Sequence, residues 1–286
     1  MTKIITMILI ADGGSTKCDW AICNKNGGVI SKCQTIGFNP KYITLESVMH
    51  ELANSELESI KDNVSKIIFF GAGCSNESRN SVLEKILSIF FSKAKIDIKH
   101  DLEAAYLATY NGNPIICSIL GTGSNSCLFD GKKCIENAPS LGYILGDEGS
   151  GNYFGKKLLN LYINNKLSVK LKLEFEKIYG SNKESIIENI YTSARPNLYL
   201  ASFFKFIHNN KEDEHFNKIL TDGIRDFFNL HICCYKNFEK YPLTFVGSVA
   251  YFLSDYLYKI ADEKKCKISS IIKSPIDNVV ANLFKS

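Results

Sequence analysis

The chain has 286 residues, 45% of them hydrophobic, and a formal net charge of +4 at pH 7. That length and apolar content suffice for a sizeable core and for two domains of ordinary size. The small charge is carried by scattered lysines, which gives no electrostatic footprint for a nucleic-acid or membrane partner.

No apolar run approaches the length of a membrane span. The run Ile4 to Ala11 follows Lys3 but lacks a small-residue cleavage site and ends in Asp12, so it reads as a first strand rather than a signal peptide. The ten cysteines contain no C-x-x-C spacing. Cys18, Cys23, Cys33, Cys74, Cys117, Cys127 and Cys134 mostly lie in apolar, strand-like runs, as free thiols buried in a reducing compartment do, and the cytoplasm is the expected location. The adjacent pair Cys233-Cys234 falls in a helix-like segment.

The first strand ends at Asp12-Gly13-Gly14-Ser15-Thr16-Lys17, a tight turn, and the chain resumes as a second strand through Trp20 to Cys23. After Gly27-Gly28, Val29 to Ile36 forms a third strand that ends at Gly37-Phe38-Asn39-Pro40. Leu45 to Ile60 has helical apolar spacing, Val64 to Phe70 is a strand, Glu77 to Ser92 a helix and Ile96 to Ile98 a short strand. Asp101 stands at an N-cap position ahead of a helix over Leu102 to Tyr110. A meander followed by strand-helix alternation is an α/β layout whose later strands run parallel.

Asn111-Gly112-Asn113-Pro114 breaks the pattern, and a similar one begins again. Ile115 to Leu120 is a strand, Gly121 to Ser126 a Gly/Ser turn, Cys127 to Phe129 a strand, and Asp130-Gly131 turns into a third. This is a duplication of architecture, not of sequence. From Ser150 to about Glu239 the chain reads as mostly helical. Thr244 to Val246 is a strand, Gly247-Ser248 a turn, Val249 to Ala261 a helix, Ile268 to Lys273 a last strand, and Pro275 opens a terminal helix.

The turn at residues 12–17 fits two roles, a plain Gly-Gly hairpin or a loop whose amides face an anion, with Asp12 placed to hold a hydrated Mg²⁺. A second such turn at 121–126 favours the latter, because two turns opening two halves can grip one polyphosphate from both sides of a cleft. No G-x-x-x-x-G-K-[ST] is present, and Gly149 to Lys157 has the wrong spacing for it. That segment also lacks the preceding long strand and the acidic partner of a dinucleotide fingerprint. The five histidines show no zinc-site spacing, and no G-x-S-x-G occurs. Cys74, after Gly73, has no assigned base that would make it a nucleophile.

Asp12 to Lys17, Gly121-Thr122-Gly123-Ser124-Asn125, Leu145-Gly146-Asp147-Glu148-Gly149-Ser150 and Phe245-Val246-Gly247-Ser248-Val249 resemble, in order and over nearly the whole chain, the motifs of a known family. It is the N-acetylglucosamine kinase and BadF/BadG-type ATPase family, within the sugar kinase, actin and heat-shock chaperone superfamily. The resemblance implies an α/β fold of duplicated ribonuclease-H-like (actin-like ATPase) domains, with mixed five-stranded sheets and an interdomain cleft. The domains are expected at residues 1–113 and 114–286, the second with a helical insertion and with room for the terminal helix to pack back on the first.

The resemblance further implies ATP and Mg²⁺ as cofactors. Gly13, Gly14, Ser15, Thr16, Lys17, Gly121, Thr122 and Gly123 would hold the phosphates, Gly247 and Ser248 the adenosine, and Asp12 the metal. Asp101 matches the catalytic aspartate, and Asn39, Asp101, Asn125 and Asp147 match residues that bind an amino sugar. Read from the residues alone, Asp101 and Asp147 are equally helix caps and Asn39 a turn residue before proline. No nucleic acid or membrane is expected as partner, and a homodimer is compatible. Two other activities of such a fold stay open: an ATPase that activates an iron–sulfur dehydratase or reductase, and a sugar or nucleotide sensor without turnover. Where relatives often have Gly-Trp-Gly, this chain reads Leu141-Gly142-Tyr143-Ile144-Leu145-Gly146, so one wall of the sugar pocket differs and the sugar is not fixed.

Overall fold

The computed structural model describes residues 6–285; Ile4 and Ile5, counted in the first apolar run, lie outside the described residues. Of these, the residues up to Asn111 and those from Ser274 onward form one compact unit, and Gly112–Lys273 forms a second.

The first unit contains β1 (Met7–Gly13), β2 (Lys17–Cys23), β3 (Val29–Ile36), α1 (Leu45–Ala53), β4 (Val64–Gly71), α2 (Glu77–Phe90), β5 (Lys95–His100) and α3 (Asp101–Thr109). Its sheet has the order β3-β2-β1-β4-β5. Short turns make β1, β2 and β3 antiparallel, whereas helical crossovers make β1, β4 and β5 parallel. Leu9, Ala11, Trp20, Ile22, Ile67 and Phe69 pack in one cluster with Val48 and Leu52 of α1 and Leu83 and Leu87 of α2. Thr35 satisfies the buried indole, whose Nε1 donates to its Oγ1 at 2.9 Å.

The helical spacing over 45–60 resolves into two pieces. Asn54 turns its amide back onto the His50 carbonyl at 2.7 Å, and the Ser55 hydroxyl caps a 3₁₀ segment, Glu56–Asn63, by accepting from Leu57 N–H. Short polar side chains that bond the backbone locally end a helix even where its apolar period continues.

The second unit repeats the connectivity with β6 (Ile115–Leu120), β7 (Ser124–Phe129), β8 (Cys134–Asn137), β9 (Leu243–Val246) and β10 (Ile268–Ile272), in the order β10-β9-β6-β7-β8. Between β8 and β9 lie α4 (Gly142–Leu145), α5 (Gly151–Ile163), α6 (Val169–Tyr179), α7 (Lys183–Thr192), α8 (Pro196–Ser202), α9 (Phe204–Asn209) and α10 (Glu214–Phe227). The latter runs into a π-helical turn, Phe228–Ile232. Two helices, α11 (Ser248–Phe252) and α12 (Ser254–Glu263), replace the single helix expected over 249–261 and meet at Leu253. The last helix, α13 (Ile276–Leu283), belongs to the first unit. There Asn282 and Asn278 donate to the carbonyls of Leu107 (2.6 Å) and Ala108 (3.1 Å), groups that the end of α3 leaves without intrahelical partners. No helix among the described residues is long and apolar enough to cross a membrane.

Helices α5 and α8 cross with almost no separation at Gly155, where an added Cβ would run into the Leu200 carbonyl, 2.7 Å from its carbon. Alanine is the better helix former by about 1 kcal/mol, so propensity alone would make Gly155→Ala stabilising. Overpacking against backbone outweighs that, and a net loss of about 1–3 kcal/mol is expected. A lowered urea midpoint for the second unit is the check, and an unchanged or raised midpoint contradicts the close crossing.

Candidate functional site

In the first unit, register alone gathers the candidate residues. Gly13 pairs with Gly71 and Gly71 with His100, so the carboxyl ends of the parallel strands finish level, and Asp12, the turn after β4 and Asp101 share one end of the sheet. Ligands of open α/β sheets bind at that end. The turn at residues 13–17 has little freedom. A Cβ on Gly13 would lie 2.5 Å from the Phe69 ring, and one on Gly37 would meet the carbonyls of Gly14 and Ser15. Gly37 N–H donates to the Thr16 carbonyl at 3.1 Å, and Ala72 N–H to the Gly13 carbonyl at 2.7 Å.

Asp12 faces Asp19 across the β1–β2 ladder. Burial raises its carboxyl to about 7, with the charges of Asp19 and Asp101 adding to the rise and Lys17 opposing it. Lys17 is engaged by Asp19, its Nζ lying 2.9 Å from Oδ2. The ammonium expected to meet phosphate is thus already part of this charge cluster.

Asp101 is the first residue of α3, not its N-cap; His100 holds the cap position. The cause is a capping box, in which Glu103 Oε1 accepts from His100 N–H at 3.3 Å. Asp101 Oδ1 accepts from Leu102 N–H at 2.9 Å, and His100 Nδ1 lies 2.9 Å from the same oxygen. Leu102 N–H also reaches His100 Nδ1, at 3.2 Å, so that nitrogen accepts in the cap. Oδ2 has no partner among the described residues. Asn39 is buried, and its Oδ1 accepts from Lys41 N–H at 3.0 Å. Gly73, at φ +82°, admits it, because a Cβ there would overlap the Asn39 amide. The Cys74 thiol is pushed up to about 12 by burial and by the nearby Asp101 charge, which keeps it protonated and leaves it no nucleophilic role.

In the second unit the β6–β7 turn is shorter than expected, covering 121–123, with Ser124 and Asn125 already in β7. The start of α5 clamps it: Gly151 N–H donates to the Gly121 carbonyl (2.8 Å) and Asn152 N–H to the Thr122 carbonyl (3.0 Å). Asp147 sits over Gly123, where a Cβ would be 2.9 Å from its carboxylate. Its Oδ1 accepts from Ser124 N–H at 3.3 Å and its Oδ2 from Asn152 Nδ2 at 2.6 Å. Burial raises the Asp147 carboxyl, and these two donors pull it back down. The Asp147 backbone lies at φ 60°, a left-handed conformation that costs a non-glycine residue energy and that clusters at functional sites. Asn125 is half-buried and bonds Ser126 N–H through its own Oδ1 at 2.9 Å.

Gly247, at φ 122°, lies against the Leu120 carbonyl, which brings the β9–α11 turn to the same end of the sheet; Ser248 beside it is exposed. Gly121 differs from its neighbours, because a Cβ there would meet nothing within 4 Å.

Asn152, Ser150 and His231 were assigned no role in the sequence reading. The first two lie in the glycine-rich segment 149–157, which is the capped start of α5, with Ser150 accepting from Tyr153 N–H at 3.3 Å. The serine immediately before an aromatic-rich helix was the available signal. His231 lies 3.1 Å from Glu148, and no local pattern joins residues so far apart in the chain.

Among solved structures, a Porphyromonas gingivalis protein with the provisional name N-acetylglucosamine kinase matches 98% of this chain over 99% of its own, with 31% identity and a TM-score of 0.89. A Chromobacterium violaceum protein with the same provisional name matches 98% over 100%, with 16% identity and a TM-score of 0.76. A ROK-family glucokinase of Streptomyces griseus, solved with glucose and AMPPNP, matches 96% over 97%, with 13% identity and a TM-score of 0.54. The latter two similarities concern the fold alone. No family model matches the chain, and no curated protein matches it. The two sheets, each three antiparallel strands extended by two parallel ones, are the duplicated ribonuclease-H-like architecture expected from the motifs. With the full-length match to the Porphyromonas gingivalis protein, they place the chain in the N-acetylglucosamine kinase and BadF/BadG-type ATPase family of the sugar kinase, actin and heat-shock chaperone superfamily.

Proposed function

We propose that the chain is an ATP-dependent kinase that phosphorylates a hydroxyl of an amino sugar, N-acetylglucosamine or glucosamine at the 6-position. The observation that carries this reading is Asp101: one carboxylate oxygen accepts from Leu102 N–H, with the His100 imidazole beside it, while the other has no described partner. A transferable proton needs a carboxylate held in direction with one oxygen to accept it. The names of the relatives support a sugar acceptor, and the glucose and AMPPNP in the Streptomyces griseus enzyme show a protein of this fold holding a sugar with an ATP analogue.

On this reading Asn39, Asn125 and Asp147 orient the sugar, and the turns at 13–17 and 121–123 each contribute to holding the triphosphate. The hydroxyl oxygen bonds to the γ-phosphorus as the bond to the β-phosphate oxygen breaks. The hydroxyl proton passes to Asp101 and ADP leaves. Cytoplasmic ATP is the natural supply.

Mg²⁺ fits the residues present. Asp12 and Asp19 face each other, and burial together with neighbouring negative charge raises the Asp12 carboxyl, which a divalent cation would reverse. No group of three or more His, Cys, Asp or Glu among the described residues could hold a metal by itself. Mg²⁺ is commonly held by one or two carboxylates, water and substrate phosphates. When bound it would neutralise charge on the phosphates, and Asp12 would hold it through water.

Asp101→Asn is expected to lower sugar-dependent ADP release by about 10²–10⁴-fold while MgATP still raises the melting temperature. Release at the wild-type rate ends the reading. The open space beside Gly121 provides a second test. If bound phosphate occupies it, Gly121→Ala should leave the melting temperature of the free protein within about 2 °C and weaken MgATP at least about tenfold, the size of a lost charge-assisted contact. Equal nucleotide affinity would move the phosphates elsewhere.

Asp12 sets a pH test with a definite sign. Between its ordinary value of 3.8 and its folded value of about 7, the folded protein keeps a proton that the unfolded chain has released. The stability this contributes is fully present below roughly pH 4 and is lost as pH rises through about 7. Asp12→Asn, neutral throughout, should therefore gain on the wild type as pH rises over that window. Parallel stability curves would contradict the raised value.

A further inference from the structure

His231 sits on the π-turn that follows α10, 3% exposed, its ring stacked on Phe227 with centroids 4.8 Å apart. The Cys233 N–H to Phe228 carbonyl bond, 2.8 Å long and spanning five residues, is the wide turn itself. Such turns are rare and recur at functional sites. Nε2 lies 3.1 Å from Glu148 Oε2, and Nδ1 is buried with no hydrogen-bond partner. A π-turn and an unsatisfied buried nitrogen both lower stability, and both fall on the one residue that reaches Glu148.

A chain of hydrogen bonds continues from the same residue. Ala138 N–H donates to Tyr235 Oη (2.9 Å), Tyr235 donates to Ser126 Oγ (2.9 Å), and Ser126 donates to the His231 carbonyl (2.7 Å). Ser126 follows Asn125 on β7, and Glu148 follows Asp147. His231 is thus bonded to the immediate neighbours of two residues assigned to the sugar, although the structure gives it no contact with either.

We propose that His231 is a positioning residue for sugar binding. It donates from Nε2 to Glu148, holds the peptide that carries Asp147 in its left-handed conformation, and anchors β7 beside Asn125 through its carbonyl. The role rests on the kinase reading for its consequence in turnover, but not for its effect on the Asp147 loop.

The experiment compares His231→Leu with His231→Gln, which restores an N–H near the place of Nε2. Hydrogen exchange over residues 146–152 is followed in the free protein, and sugar KM and kcat are measured with N-acetylglucosamine and glucosamine. His231→Leu should speed exchange in the loop and raise the sugar KM, each by about tenfold, the size of one lost hydrogen bond to a charged group. The ATP KM should hold, kcat should stay within about twofold, and His231→Gln should recover most of both losses. If His231→Leu does not fold, Glu148→Ala takes its place with the same expectations. Wild-type exchange and sugar KM in the leucine variant, or a glutamine variant as impaired as leucine, overturns the proposal. Absence of sugar-dependent turnover in the wild type would sink the kinase reading instead, and the exchange comparison alone would then decide whether His231 fixes the loop.

Discussion

Backbone packed directly on backbone, at the carboxyl end of each sheet, is the constraint on which the candidate residues of each unit depend. Gly37 lies against the carbonyls of Gly14 and Ser15, and Gly247 against that of Leu120, with no room for a side chain at either place. The turns are held from behind. The carbonyls of Gly13, Thr16, Gly121 and Thr122 all accept from the protein's own N–H groups. Carbonyl oxygens repel an anion, so occupying them is a precondition for a turn that holds phosphate by its amides.

The two carboxylates at these sheet ends are handled differently, and the difference matches their proposed roles. Burial raises both. Asp147 is fixed in direction by two hydrogen bonds, from Ser124 N–H and Asn152 Nδ2, as a group that must read a hydroxyl at a set position would be. Asp12 has no described hydrogen bond, and the only opposing influence at its carboxyl is the charge of Lys17, itself paired with Asp19. Such a group suits a partner that brings charge, not geometry, which is the character of a hydrated cation.

Much of the fold was legible because period and punctuation agreed. The strands β3 (Val29–Ile36) and β6 (Ile115–Leu120) have the bounds that their flanking glycines and prolines suggested. Where punctuation was absent, the reading failed. Nothing between Val249 and Ala261 resembles a breaker, yet the helix divides at Leu253, whose φ of −105° and ψ of 24° interrupt it. At Asp101 the failure was one of competition. His100 and Asp101 are both able to cap, and Glu103 decides for His100 by bonding its N–H. Lys17 shows a further limit, since the carboxylate that engages it is two residues away on the same strand and no spacing rule marks that pair. The π-turn at 228–232 leaves no trace in composition.

In the second unit the proposed phosphate turn and the proposed sugar residue are one mechanical piece. Asp147 packs on Gly123 and bonds Ser124 N–H and the Asn152 side chain, while Asn152 N–H holds the Thr122 carbonyl. A displacement of the Asp147 carboxylate therefore cannot be confined to the sugar, because Gly123 lies beneath it and Asn152 is shared. The Glu148–His231 pair, 3.1 Å apart, ties the residue after Asp147 to the π-turn, outside the loop. Holding a left-handed aspartate in place needs support from outside its own loop, since the strain that makes the conformation useful also drives the loop to relax.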